Sequence, residues 1–219
     1  MRADYLYFSQ DQEGNFCMKG FHFTLVFCAL AIFSSCFKNY YDGYRGGPPK
    51  LYDKYGFPIG GKNRLLTSDG FVVRDFQLDL ESMIGVGCNA STSQQYTNMY
   101  MHREALSQFE AMQAAARQDN IKLSICSAYR DYDYQKRVQR QYPGKAISPG
   151  YSEHHLGTAV DLADIWWGSN GFRWLKGNAH RFGFILSYYR TQTSGEANHW
   201  RYVGVDAAQA YYDWFGELY

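Results

Sequence analysis

The run Ala159-Val160-Asp161-Leu162 has the small and β-branched composition of a buried strand, yet its third residue is a carboxylate. Burying an aspartate is costly unless it is paired or bound to a cation. Any fold for this chain must therefore bring a partner to Asp161. That partner is either an arginine, in a salt bridge, or a metal shared with another ligand. His154 lies upstream in Ser152-Glu153-His154-His155-Leu156-Gly157-Thr158, just after a Pro149-Gly150 turn. Gly157 and Ala159 are small, which lets the backbone bend and approach closely between His154 and Asp161.

The surrounding pattern is mixed. Phe76, Leu78 and Leu80 alternate at the end of Phe71–Leu80, which predicts a half-buried strand. Leu106, Phe109, Met112 and Ala116 recur at helical spacing, so 102–117 should be a helix. Alternation over 121–126 predicts a strand, and the polar 131–141 a short surface helix. A helix over 172–182 closed by Gly183, strands over 184–186 and 200–203, and a last helix over 207–215 complete the reading. No regular strand-helix-strand rhythm runs through them. The expected class is α+β, a small and mainly antiparallel sheet flanked by helices, in a single domain over 64–219.

The beginning of the chain has a different character. Met18-Lys19-Gly20 leads into an apolar run from Phe21 to Phe33, shorter than the roughly 20 residues a membrane span takes. A charged start, a short apolar stretch and small residues match a secretory signal over 1–35. Met18 is the expected true start, ahead of which 1–17 sit oddly. Ser34-Ser35-Cys36 resembles a lipoprotein processing site, which would leave Cys36 lipidated and the rest of the chain in the cell envelope. Membrane contact would then be through that N-terminal anchor. The Gly- and Pro-rich stretch 36–63 reads as a flexible tether. Cys88 and Cys126 remain in the domain. They could pair in an oxidising compartment, but nothing in their spacing argues for it, and buried free thiols are the preferred reading. A formal net charge of +1 gives no electrostatic case for nucleic acid.

Two further pieces can carry chemistry. In Glu196-Ala197-Asn198-His199, a histidine starts a predicted strand and a glutamate precedes it on a loop loosened by Gly195. Metallopeptidases need a carboxylate near an activated water to take its proton. Taken alone, a surface glutamate and a core histidine fit as well. In Ser127-Ala128-Tyr129-Arg130-Asp131, the arginine follows a strand, where it can meet a carboxylate or steady an oxyanion. Taken alone, an ion pair to Asp131 or Asp133 explains it better. His102 and His180, on predicted helices, read as surface or satisfied core residues.

Together and in this order, the three pieces resemble the VanY-type D-alanyl-D-alanine carboxypeptidases, whose metal pattern is shared by D-Ala-D-Ala dipeptidases and L,D-carboxypeptidases. Ser152, His154, Gly157, Ala159 and Asp161 meet the first family pattern. Glu196, His199, Arg201, Tyr202, Val203 and Gly204 meet the second, and Ser127, Tyr129, Arg130 and Gln135 the third. The resemblance runs from about Met101 to the C-terminus. It implies Zn2+ on His154, Asp161 and His199, with Glu196 as general base. It implies that Arg130 stabilises the scissile carbonyl or binds the substrate carboxylate, with Ser152, Gln135, Ser127 and Tyr129 contacting the peptide. The implied substrate is a peptidoglycan stem peptide cut at a terminal D-alanine. Asn198 replaces the usual Trp and Asp131 the usual Ser, which bears on specificity. A different cut on the same scaffold (L,D-carboxypeptidase, dipeptidase or endopeptidase) and a non-catalytic peptidoglycan-binding lipoprotein are the alternatives.

Overall fold

In the computed structural model, residues 8–10, 16–18, 50–88, 96–188 and 196–216 are described. The apolar run 21–33, Cys36 and most of the expected signal and tether lie outside these residues. Two short strands, β1 (Phe8–Gln10) and β2 (Phe16–Met18), pair antiparallel in a unit of their own. No helix among the described residues is long and apolar enough to cross a membrane.

The second unit is built on a four-stranded antiparallel sheet in the order β5 (Ile125–Ser127), β6 (Ala159–Leu162), β8 (His199–Tyr202), β7 (Phe184–Ile185). Register does the work of positioning. Val160 pairs with Trp200 and Asp161 with His199. Because side chains alternate along a strand, Val160, Leu162, Trp200 and Tyr202 enter the apolar core, while Asp161, His199 and Arg201 share the opposite face. The helix α1 (Arg103–Gln118) covers the core face with Ala105, Leu106, Phe109, Met112 and Ala116, all buried. Its stripe follows the helical period, and Asn120 in the left-handed region (φ 59°) ends it. Phe109 meets Phe184 edge-on with ring centroids 6.0 Å apart. Truncating it to Ala would cost about 3–5 kcal/mol. The helices α2 (Tyr132–Gln141), α3 (Asn170–Asn178) and α4 (Val205–Phe215) complete the α+β arrangement.

Several expectations need correction. Residues 71–79 form no strand: Val72 makes one bridge with Leu66, 73–75 are bends and 76–79 are irregular. Leu80 opens β3 (Leu80–Gly85), which pairs with β4 (Thr97–His102), a strand the sequence did not suggest. Phe76 instead stacks on His102 and meets Tyr55 and Phe57 edge-on, so the alternation reflects ring packing. Only Ile125 and Cys126 of the strand expected over 121–126 are in the ladder. The helix expected over 172–182 is two pieces, α3 and a 3-10 turn over Ala179–Phe182, with Gly183 (φ 80°) as the closing residue. The stretch 50–62 does not act as a tether. Phe57 is buried against Leu65 and Leu156, and Asp53 is buried as well. The glycines there make turns that fold this segment onto the domain. Cys88 and Cys126 are joined in a disulfide rather than being free thiols. Backbone pairing of Val86 with Ile125 brings the two together, a proximity that sequence spacing does not encode.

Candidate active site

The site is assembled from three neighbouring pieces of backbone. β6 supplies Asp161 and β8 supplies His199, opposite one another in the ladder. His154 comes from a 3-10 turn over Glu153–Leu156, which ends at Gly157 in the left-handed region (φ 68°). A side chain at Gly157 would also strike Leu80, so the small residue is required twice over. The donor atoms of His154, Asp161 and His199 all lie within 4.8 Å of one another.

Hydrogen bonds behind the two imidazoles set which nitrogen faces inward. His154 Nδ1 donates to the Ala128 carbonyl at 2.7 Å. Its buried Nε2 therefore carries a lone pair, which lies 3.3 Å from Asp161 Oδ2 and makes no hydrogen bond. His199 Nε2 is 3.1 Å from Glu153 Oε2, and its Nδ1 is 3.0 Å from Asp161 Oδ1. Two ring nitrogens and a carboxylate converging in a buried place suit a cation shared between them. Burial, with Arg130 nearby, holds His154 down at about 4. Burial also opposes charge on His199, yet the carboxylates of Asp161 and Glu153 outweigh it and raise the ring to about 9. Asp161, although burial favours its neutral form, is held well below the usual carboxylate range by His154 and His199. The donor set of two imidazoles and one carboxylate suits zinc, whose catalytic sites take three protein ligands and keep a position open.

The three donors open into a cleft of about 180 Å³, lined also by Arg130, Gln135, Ser152 and Glu196. A turn in which His199 N donates to Glu196 O fixes the spacing of these two residues. Burial raises the Glu196 carboxyl above its ordinary value, against the pull of His199. Arg130 follows β5. Its backbone N–H donates to the His154 carbonyl, and its carbonyl accepts from His155 Nδ1 at 2.6 Å. His155 Nε2 in turn accepts from Gly150 N–H, so this histidine pins the arginine loop to the Pro149-Gly150 turn. The Arg130 guanidinium stands 3.8 Å from Asp161, and burial lowers its pKa. Gln135 donates to the Ile147 carbonyl, leaving a buried side-chain oxygen without a partner. Ser127 and Tyr129 are not among the cleft-lining residues. Ser127 pairs with Asp161 in the sheet, and Tyr129 N–H donates to Tyr100 O. His180 stacks on Tyr212, and buried His102 packs between Tyr55 and Phe76, as expected for residues away from the chemistry.

Three residues to which the sequence assigns no role of their own stand behind or beside the donors. Glu153 accepts from His199 and from Ser187 Oγ (2.6 Å). Arg201 donates to Glu153 Oε1 at 2.7 Å. Tyr188 stacks on His199 at 4.5 Å between centroids. A charge inside the apolar strand His199–Tyr202 was a usable signal for Arg201, the same signal that marked Asp161.

Residues 98–205 match the family model described as VanY: D-alanyl-D-alanine carboxypeptidase. A D-alanyl-D-alanine carboxypeptidase of Enterococcus faecalis is 35% identical over 124 residues, covering 45% of this chain and 46% of the relative. The crystal structure of a vancomycin resistance D,D-pentapeptidase VanY mutant in complex with Zn(II) is similar at a TM-score of 0.52 and 26% identity, over 71% of this chain and 91% of that one. VanYB in complex with D-alanine-D-alanine is similar at 0.51 and 27%, over 68% and 90%. The chain spans half or less of the length of the curated relatives it matches.

Proposed function

We propose that this chain, whose residues 98–205 match the VanY family model, is a zinc-dependent carboxypeptidase that removes a terminal D-alanine from peptidoglycan stem peptides. The convergence of His154, Asp161 and His199 within 4.8 Å, in one cleft with Glu196 and Arg130, carries this reading. Zinc held by those three residues would supply an acidified water and polarise the scissile carbonyl. Glu196, raised by burial, is suited to take a proton from that water and return it to the leaving amine. Arg130, little exposed and held by backbone bonds on both sides, offers its guanidinium to the oxyanion or the substrate carboxylate. Ser152 and Gln135 line the cleft as peptide contacts, and the unpaired Gln135 oxygen is an acceptor for a substrate N–H. Among the described residues the metal cluster has three protein donors, which leaves a place for water and favours catalysis over a closed structural site.

Export to the cell envelope belongs to the same proposal, supported by the Cys88–Cys126 disulfide, a bond favoured in oxidising compartments. Anchoring through Cys36 is its finer part, testable by metabolic labelling with a lipid precursor. Mass spectrometry of defined muropeptides incubated with the protein, with and without chelator, tests the activity. Free D-alanine from a pentapeptide, lost with chelator, is expected. Release only from a tetrapeptide would make the chain an L,D-carboxypeptidase, and no release from either would sink the carboxypeptidase reading.

A further inference from the structure

Behind the metal donors runs a chain of buried charges. His199 Nε2 meets Glu153 Oε2, Glu153 Oε1 accepts from Arg201 Nη1 at 2.7 Å, and Arg201 Nη2 reaches Asp53 Oδ2 at 2.5 Å. Every side chain in it is nearly inaccessible to water. Asp53 lies 148 residues from Arg201 in sequence and outside the segment that matches the family. Its own position is fixed, because Oδ1 accepts from the N–H groups of Tyr55 and Phe57 at 2.9 Å each. The Pro58 carbonyl, at 3.4 Å, gives Arg201 a second contact with the same segment.

Counting charges shows what Asp53 adds. Glu153 and Arg201 alone form a neutral pair. With Asp53, two carboxylates face one guanidinium, which leaves one negative charge behind the His199 ring. Asp53 also shares the guanidinium, so that Glu153 is less fully drawn to Arg201 and accepts more strongly from His199 Nε2–H. A stronger acceptor there makes the opposite ring nitrogen a better metal ligand. Buried charges interact far more strongly than exposed ones, so a contribution relayed over this distance survives.

We infer that Asp53 is a positioning residue of the metal centre, acting through Arg201 and Glu153 on His199, and that the segment 50–62 is therefore part of the metal site's support. This rests on the reading of His154, Asp161 and His199 as metal donors. The test is zinc affinity of the full chain by competition with a chromophoric chelator, with the absorption spectrum of the cobalt-loaded chain as a second readout. Asp53→Asn should weaken zinc by roughly 10–100-fold and shift the cobalt bands, while near-ultraviolet circular dichroism remains that of a folded chain. Phe109→Ala is the control. It loosens the apolar core without touching a charge or the segment 50–62, and should lower the melting temperature while the folded chain keeps its zinc affinity. An unchanged Asp53→Asn affinity overturns the inference, as does a Phe109→Ala loss as large as that of Asp53→Asn. Should Asp53→Asn fail to fold, Asp53→Ser decides, because it keeps an oxygen acceptor for the Tyr55 and Phe57 N–H groups but carries no charge. Weakened zinc supports the relay, and unchanged zinc rejects it. A wild-type chain that binds no zinc overturns the metal reading and this inference together, whereas tight wild-type binding with no effect of the variants overturns only the latter.

Discussion

Glu153 and Glu196 both stand near His199, in opposite surroundings. Glu153 sits in the wall behind His199. Burial alone would raise its carboxyl, but Arg201, His199 and Ser187 overcome this and hold it at about 2. Glu196 lines the cleft in front, where burial raises it more than His199 and Arg130 lower it, and among the described residues it has no direct ion pair. The same side chain is thus locked as an anion in one region and left able to exchange a proton in the other. A wall group must not react, because its task is to hold a ligand, while a cleft group must react and so cannot be tightly paired.

Emptying the cleft side is the harshest way to test this division. Glu196→Ala should lower kcat by about 10²–10⁴ with zinc still bound, as read by metal analysis of the purified variant. Loss of zinc instead would move Glu196 into the wall. Arg130→Ala should cost about 10²–10³ in kcat, again with metal retained. A pure rise in KM would assign it to the substrate carboxylate rather than the oxyanion. On the wall side, Glu153→Gln should spare the intrinsic rate of zinc-loaded enzyme far more than either cleft variant. Its cost should fall on zinc retention and on stability, by roughly 3 kcal/mol from the depressed carboxyl.

How much of this was legible in the sequence follows the same line. The convergence of His154, Asp161 and His199 was legible because Asp161 is a charge in a strand that should be apolar and because the three pieces together resemble one family, and Glu196 was singled out by that resemblance. The helix α1 was legible because its buried stripe keeps one period over its length. The wall was not. Glu153 looked like a neighbour of His154, although an acid in a buried turn carries the same message as Asp161. Asp53 left no signal at all, since its surroundings are Gly- and Pro-rich and its partner is 148 residues away. Turn-rich composition was read as a lack of structure. Here it let an irregular segment wrap closely enough to bury Phe57 and Asp53. The disulfide was hidden for a related reason, because only the pairing of Val86 with Ile125 brings the two cysteines together.

pH separates the two glutamates with the smallest perturbation. Glu153 is depressed in the folded chain, so its stabilisation is fully present above the unfolded carboxyl value. That stabilisation is lost as pH falls from about 4.5 toward about 2. In metal-free protein, the stability gap between wild type and Glu153→Gln should therefore close across this window in denaturant titrations. Glu196 is raised, so its ionised form is disfavoured by folding and appears only at higher pH. A base must be ionised to act. The value of kcat/KM should then fall on acidification with a midpoint above the ordinary carboxylate range, about tenfold per unit beyond it. In that range Glu153 is still an anion and the fold is intact, so the decline is in rate and not in folded protein. A limb that coincided with loss of the folded signal would erase the distinction between wall and cleft.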